Sequence, residues 1–124
     1  MKPNKLADLT VPQLVDRFAT IGIEQNSALL YDEFAKFSRL YREMDAINNE
    51  LKSRHGDQRS ALTVLFNHPD VQVRLKAALC TMEIVPHAAR EVFQRIVDAR
   101  LYPQAADALA AIWRLEGRPL VRSE

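Results

Sequence analysis

The sequence predicts a single all-α domain, and three observations lead to that prediction. Apolar residues recur at intervals of three and four along most of the chain, which is the spacing of one face of a helix. Only 3 of the 124 residues are glycine while 48% are hydrophobic, which argues against both a sheet-rich and a disordered chain. Prolines and capping side chains divide the rest into about six segments of helix length.

The first helix is predicted over residues 11–24. Thr10 is a good N-cap, and Pro12 falls in the first turn, where its missing N–H costs no hydrogen bond. Gly22 lies near the predicted end and is expected to loosen the last turn. Residues 1–9 are expected to form a loose arm. The inward face comprises Val11, Leu14, Val15, Phe18 and Ile21.

The second helix is predicted to begin after Asn26 or Ser27 and to end before Gly56, which completes an N-terminal helix pair over residues 10–54. Its apolar positions alternate at intervals of four and three, a period that suits packing along another helix. We expect that partner to be helix one. The alternative is that the stripe binds another protein or forms a dimer interface. The stripe comprises Leu30, Phe34, Phe37, Tyr41, Met44, Ile47 and Leu51.

Two further helix pairs are predicted over residues 57–117, followed by a tail at 118–124. Their four helices are expected at 58–67, 70–84, 86–100 and 103–116. Asp57 can cap the first, Pro86 and Pro103 open the last two, and Gly117 with Pro119 ends the last. The helix over 70–84 is apolar on two sides, which predicts a central position and an inaccessible Cys80.

The two C-terminal pairs are related by a weak internal repeat at an offset of about thirty residues. The repeat aligns Leu62 with Val92, Phe66 with Ile96, Val71 with Leu101, Ala78 with Ala108, Leu79 with Leu109 and Met82 with Ile112. The first pair carries Leu62-x-x-Leu65-Phe66-Asn67-His68-Pro69-Asp70-Val71-Gln72-Val73-Arg74-x-x-Ala77-Ala78. This segment resembles the HEAT signature, with leucines on the first helix, a proline-containing turn, and Val-Arg and Ala-Ala on the second.

The resemblance to HEAT proteins implies an armadillo/HEAT-like, right-handed stack of helix pairs. The second pair lacks Val-Arg, and the first two helices hardly match the pattern. The chain as a whole also resembles a small bacterial family known only as a domain of unknown function with an armadillo-like fold. That resemblance implies a bacterial setting and carries over no catalytic residue.

Charge and composition exclude several classes of function. The formal net charge is +1, so the strong basic excess that is typical of nucleic-acid binders is absent. No run approaches the ~20 apolar residues of a membrane span, and no apolar N-terminal run suggests a signal peptide. The single cysteine excludes an internal disulfide. We therefore expect a cytoplasmic protein that does not bind a membrane.

No catalytic, metal-binding or cofactor-binding motif stands out in the sequence. His55, His68 and His87 are each isolated, at no spacing that a helical metal site would use. The acidic neighbours Asp32 and Glu33 point about 100° apart on a helix, so they do not converge on one substrate. We expect no cofactor and no enzymatic activity.

The sequence instead favours a binding module that recognises another protein on a shallow groove. The predicted polar positions of this groove are Gln72, Lys76, Asp107 and Arg114. Tyr102 and Trp113 are predicted contact residues at the C-terminal end of the stack, because an end unit has no neighbour to cover it.

Asp70 and Arg74 are predicted to tie the structure together, with Asp70 at the helix N-terminus and Arg74 one turn later. Homo-oligomerisation is possible through helix two or through the C-terminal end of the stack. Two alternatives remain: an immunity protein that neutralises a toxin, and, less favoured, a small enzyme or DNA-binding relative of HEAT-like proteins.

Overall fold

The computed structural model of the chain describes residues 5–118, which are helical apart from their turns. A 3₁₀ helix spans Gln58–Asn67 between the second and third α-helices, and a short 3₁₀ turn, Leu6–Asp8, precedes the first. No β-strand occurs within residues 5–118, so the all-α prediction is confirmed for that part of the chain. The α-helices are α1 (Val11–Leu30), α2 (Phe34–Ser53), α3 (Val71–Thr81), α4 (Pro86–Asp98) and α5 (Gln104–Leu115).

Side chains that accept hydrogen bonds from backbone amides determine three of the helix starts. Thr10 and Gln13 form a reciprocal capping box at α1, with N···O distances of 3.2 and 2.8 Å. Asp57 caps the 3₁₀ helix and Asp70 caps α3 in the same way, each through a carboxylate oxygen. These caps lie at the positions that the sequence predicts, because capping depends only on residues within one turn.

The boundary between the first two helices lies later than predicted. α1 continues through Gly22, Asn26 and Ser27 to Leu30, so neither predicted cap residue opens the second helix. The chain reverses at Asp32, which has a left-handed φ of 56°, and the next amide donates back to an α1 carbonyl at 2.9 Å. Aspartate tolerates this conformation, so α1 ends without the glycine that usually marks such a turn.

The other helix boundaries differ from prediction by fewer residues. α3 ends at Thr81 instead of residue 84, and α4 ends at Asp98 because the chain turns at Arg100, with φ of 55°. The segment predicted as a third α-helix is instead the 3₁₀ helix. Gly117, with φ of 74°, follows α5 as expected, whereas the predicted role of Pro119 lies outside the described residues.

The segment before α1 is held against the body, so the predicted loose arm is wrong for residues 5–9. The Arg54 side chain at the end of α2 donates from Nη2 to the Leu6 carbonyl at 3.0 Å. Leu6 and Leu9 also pack against the core. Residues 1–4 lie outside the described part.

α3 occupies the centre of the molecule, as predicted. It packs against α1, the 3₁₀ helix, α4 and α5, and its side chains Val73, Leu75, Ala77 and Ala78 are fully buried. The remainder of the core comes from every α-helix and from the 3₁₀ helix. Its largest fully buried apolar side chains are Leu14, Phe18, Leu40, Ile47, Leu51, Leu62, Val92, Phe93 and Ile96.

Candidate protein-binding surface

Gln72 is not a groove residue, because it is only 3% exposed. Its amide nitrogen donates to Gln25 of α1 at 3.0 Å, and its carbonyl oxygen accepts from Gln104 of α5 at 2.9 Å. Gln25 in turn donates to the Met44 sulfur at 3.7 Å. Three buried glutamines therefore form a hydrogen-bonded row, the glutamine row, that joins α1, α3 and α5.

The glutamine row continues towards the N-terminus of α3 through Asn26. Gln104 also donates to Asn26 Oδ1 at 3.2 Å, and Asn26 Nδ2 donates to Asp70 Oδ2 at 3.4 Å. Asp70 thus caps α3 through one carboxylate oxygen and accepts from α1 through the other.

Arg74, one of the two predicted structural ties, bonds to backbone carbonyls of the turn before α3 and not to Asp70. Its Nη1 atom donates to the His68 carbonyl at 2.8 Å and to the Pro69 carbonyl at 3.1 Å. The Asp70 carboxylate instead accepts hydrogen bonds from backbone amides in the first turn of α3 and from the Asn26 side chain. Arg74 thus bonds to the two residues before Asp70, whereas Asp70 bonds to residues after it and to α1.

A cavity of about 220 Å³ opens between α2, the 3₁₀ helix and α3. The Lys76 ammonium lies at its rim, 4.8 Å from the centre of the Tyr41 ring, within the range of a cation–π interaction. Burial lowers the pKa of Lys76, while electrostatic interactions with Cys80 and with the Asp107 carboxylate of α5 partly oppose that shift. The lining comprises Tyr41, Met44, Asp45, Asn48, Arg59, Lys76, Leu79, Cys80 and Glu83.

Arg59 and Glu83 of the cavity lining belong to a set of ion pairs in which Arg59 bridges two carboxylates. Arg59 is 6% exposed and donates to Asp57 at 2.7 Å and to Glu83 at 2.8 Å. Hydrogen bonds from the guanidinium lower the pKa of both carboxyls, and both partners raise the pKa of Arg59. The Lys52 charge contributes to the lowering at both acids.

Two further polar groups of the cavity are the Cys80 thiol and the Asn48 side-chain amide. Cys80 is partly buried, so the prediction that it is inaccessible is wrong, although burial raises the pKa of its thiol to about 11. The Asn48 Oδ1 atom is buried and accepts no hydrogen bond within the described residues.

The other predicted contact residues lie on α5 and in the turn before it. Asp107, Arg114 and Tyr102 are exposed, and only Asp107 is close enough to Lys76 to influence its pKa. Trp113 is half-buried, and the Arg118 guanidinium lies 5.2 Å from its ring. The predicted contact set is therefore reduced by Gln72, which is buried, and by part of Trp113.

The most exposed apolar group lies at the turn between α1 and α2 and along one side of α2. Leu30 is 74% exposed, Tyr31 73%, Phe34 74% and Tyr41 52%, and Phe37 is half-buried among them. We call these five residues the aromatic edge.

Part of the apolar stripe that the sequence predicts for helix two is exposed in the aromatic edge, and part of it is buried. The sequence favours burial of the whole stripe against helix one, and this is wrong for Leu30, Phe34 and Tyr41. The buried side of α2 is instead Leu40 with Met44, Ile47 and Leu51. The apolar spacing could not reveal this shift, because Phe37, Leu40 and Tyr41 lie within four residues and satisfy two adjoining stripes equally well.

Within residues 5–118, no helix combines the length and apolar character needed to cross a membrane. The same residues bring together no group of three histidine, cysteine or acidic side chains that could hold a metal ion.

Comparison with known proteins identifies the family. The crystal structure of the protein RPA1889 from Rhodopseudomonas palustris CGA009 is similar to this chain, with a TM-score of 0.89 and 40% sequence identity, over 98% of this chain and 99% of that one. No curated protein matches the chain significantly. The family model described as a domain of unknown function (DUF2019) matches residues 12–116. The chain therefore belongs to the DUF2019 family of domains of unknown function.

Proposed function

We propose that this chain is a non-enzymatic module that binds another polypeptide along the aromatic edge. The observation that carries the proposal is the exposure of Leu30, Tyr31 and Phe34, each about three-quarters open to solvent in one stretch of chain. A contiguous apolar patch of this kind is often an interaction site, and aromatic residues are the usual anchors of an interface.

The rim of the cavity provides polar groups next to the apolar anchors. Tyr41 belongs to both features, and the exposed Asp45 carboxylate and the Lys76 ammonium lie beside it. An apolar centre with a polar margin is the usual composition of a protein–protein interface. This arrangement supports recognition of a partner segment that carries apolar side chains flanked by polar ones.

The state of the cavity groups favours binding over catalysis. A thiol with a pKa of about 11 is protonated at neutral pH, so Cys80 is a poor nucleophile. Arg59 already donates to Asp57 and Glu83, which offsets its charge. Arg59 and its two carboxylates thus satisfy one another instead of aiming at a common reacting atom.

A HEAT-like arrangement is part of the proposal. The 3₁₀ helix with α3 and α4 with α5 form two successive packed pairs, which supports a stack of repeated units. Gln72 and Gln104 lie in the first turns of α3 and α5 and bond to each other, so a polar contact joins the second helices of the two pairs. The free thiol of Cys80 supports a reducing, cytoplasmic setting.

Site-specific photo-crosslinking in bacterial cells tests the proposal. The crosslinking amino acid p-benzoyl-phenylalanine would replace Phe34 in one variant and Glu91, an exposed residue of α4, in a matched control. We expect an adduct of defined mass from position 34 and none from position 91. The measurement is denaturing electrophoresis followed by mass spectrometry of the adduct.

A Tyr31→Ser substitution in the crosslinking chain should remove the adduct while leaving the thermal unfolding curve unchanged, because Tyr31 is largely exposed. Equal crosslinking from positions 34 and 91, or no adduct at either, would contradict the proposal. An adduct with a toxin would identify the module as an immunity protein.

A further inference from the structure

We propose that a second copy of this chain occupies the aromatic edge, with the two α2 helices antiparallel about a two-fold axis near Ser38. This inference rests on the proposed function, since it names the polypeptide that the aromatic edge binds. The edge is self-complementary: apolar and aromatic side chains run along one helix side, so the same patch can cover itself after a two-fold rotation.

The positions of the exposed residues along α2 define the register of the pair. Phe34 and Tyr41 lie on opposite sides of Ser38, about 6 Å and about 4.5 Å away along the helix axis for a rise of 1.5 Å per residue. An antiparallel two-fold pairing therefore places Phe34 of each copy opposite Tyr41 of the other. Phe37 packs next to the axis, against its own counterpart.

The exposed area of the aromatic edge is sufficient for a weak dimer. If each large side chain contributes roughly 200 Å² when fully exposed, the exposed fractions of Leu30, Tyr31, Phe34 and Tyr41 amount to about 550 Å² per copy. Two copies would bury about 1,100 Å², near the lower limit for specific complexes. We therefore expect a reversible dimer whose population rises with concentration.

Sedimentation equilibrium of the full chain over a wide concentration range provides the first test. The wild-type chain should show a reversible monomer–dimer equilibrium, and Phe34→Ser should weaken the association about thirtyfold, the loss typical of an interface anchor. Val64→Ser is the matched control, because Val64 is 71% exposed but lies on the 3₁₀ helix. This control should dimerise like the wild type, and all three chains should have the same melting temperature at a dilution where each is monomeric.

Disulfide trapping tests the register independently. In a Cys80→Ser background, Ser38→Cys places a thiol beside the two-fold axis, and mild oxidation should link two chains rapidly. Ser60→Cys, at another exposed serine, is the control and should link slowly. Adding Phe34→Ser to the Ser38→Cys chain should slow its crosslinking to the rate of the control.

A strictly monomeric wild-type chain up to millimolar concentration would overturn the dimer, as would equal effects of Phe34→Ser and Val64→Ser. Equal trapping rates at positions 38 and 60 would overturn the register. These failures are distinguishable from failure of the proposed function. If the photo-crosslinked adduct contains another protein and the chain is monomeric, the aromatic edge is a binding surface and the second copy is wrong.

Discussion

Gly22 lies where α1 packs closely against α3. A Cβ atom at this position would lie 2.7 Å from Val73 Cγ2 and 3.2 Å from Val73 Cα. Val73 is fully buried, and its β-branched side chain has few alternative rotamers. It therefore cannot easily move away from an added Cβ atom. Glycine is therefore required at position 22 because Val73 leaves no room for a Cβ atom. The sequence suggests a different role for Gly22, namely to loosen the last turn of the helix.

Replacing Gly22 with alanine should therefore destabilise the protein. We expect Gly22→Ala to lower the free energy of unfolding by about 1–2 kcal/mol, because overpacking outweighs the better helix propensity of alanine. Urea denaturation measures the effect, with Glu24→Ala at an exposed site of the same helix as the control. A gain in stability for Gly22→Ala would show that Val73 can move away.

Arg59 makes the stability of the protein depend on pH in the acidic range. Its hydrogen bonds hold the pKa values of Asp57 and Glu83 below their usual values. A carboxyl whose pKa is lowered by folding stabilises the protein at pH values above its unfolded pKa, and this stabilisation is lost as the pH falls through the folded pKa. The affected window lies below about pH 4.5, the ordinary range of such carboxyls.

We expect Arg59→Met to be less stable than the wild type at pH 7, with a difference that shrinks as the pH falls to 3. As the pH falls below the ordinary pKa values of these carboxyls, the unfolded chain takes up protons that the folded wild type does not, so the advantage of the wild type declines. Urea unfolding at both pH values gives the comparison. A stability difference that is the same at pH 7 and pH 3 would rule out the ion pairs as its source.

Among the helices, the glutamine row is the polar contact that fixes how α1, α3 and α5 lie side by side. Each of its three amides is buried, so each depends on the others for its hydrogen bonds. Replacing the central residue leaves a buried oxygen of Gln25 without its donor and removes one of the two acceptors of Gln104. Unpaired buried polar groups cost about 1–3 kcal/mol each.

Gln72→Leu should accordingly lower the free energy of unfolding by about 2–3 kcal/mol, although leucine is more hydrophobic and similar in size. The control is Gln94→Leu on α4, where the amide bonds only to the exposed Asp98 and the change should be within about 0.5 kcal/mol. Chemical denaturation of both variants distinguishes the two. If Gln72→Leu proves as stable as the wild type, the row does not specify the packing.

Element by element, predictability from sequence follows the range of the interactions involved. The caps Thr10, Asp57 and Asp70 act within one turn, and all three are correctly predicted. The end of α1 is not predicted, because Asp32 can adopt a left-handed conformation but does not demand one. The burial of Gln72 depends on Gln25 and Gln104, which lie 47 and 32 positions away in the sequence. Hydrophobic periodicity carries no information about contacts at such separations.

At the scale of the whole molecule, the sequence predicts one domain built from an N-terminal helix pair and two C-terminal pairs, but it does not say how the N-terminal pair packs on the others. α1 packs on α3 as well as on α2, and Arg54 ties the end of α2 to the segment before α1. The aromatic edge also emerges only at this scale. Which side of α2 is covered depends on where α1, the 3₁₀ helix and α3 lie, and no local pattern in α2 contains that information.

This interdependence predicts that residues 57–118 do not fold by themselves. Without α1, the fully buried side chain of Val73 loses the helix packed against it, and Gln72 loses its acceptor in Gln25. A fragment of about 60 residues has little core to spare, since small domains bury a smaller share of their surface.

We expect the fragment to show reduced helical circular dichroism and no cooperative urea transition, whereas the full chain unfolds in one step. Adding residues 5–56 as a separate peptide should restore a cooperative transition, because it supplies the missing face of α3. A sharp transition in the isolated fragment would instead mean that the C-terminal pairs are an autonomous domain, on which α1 and α2 are only an addition.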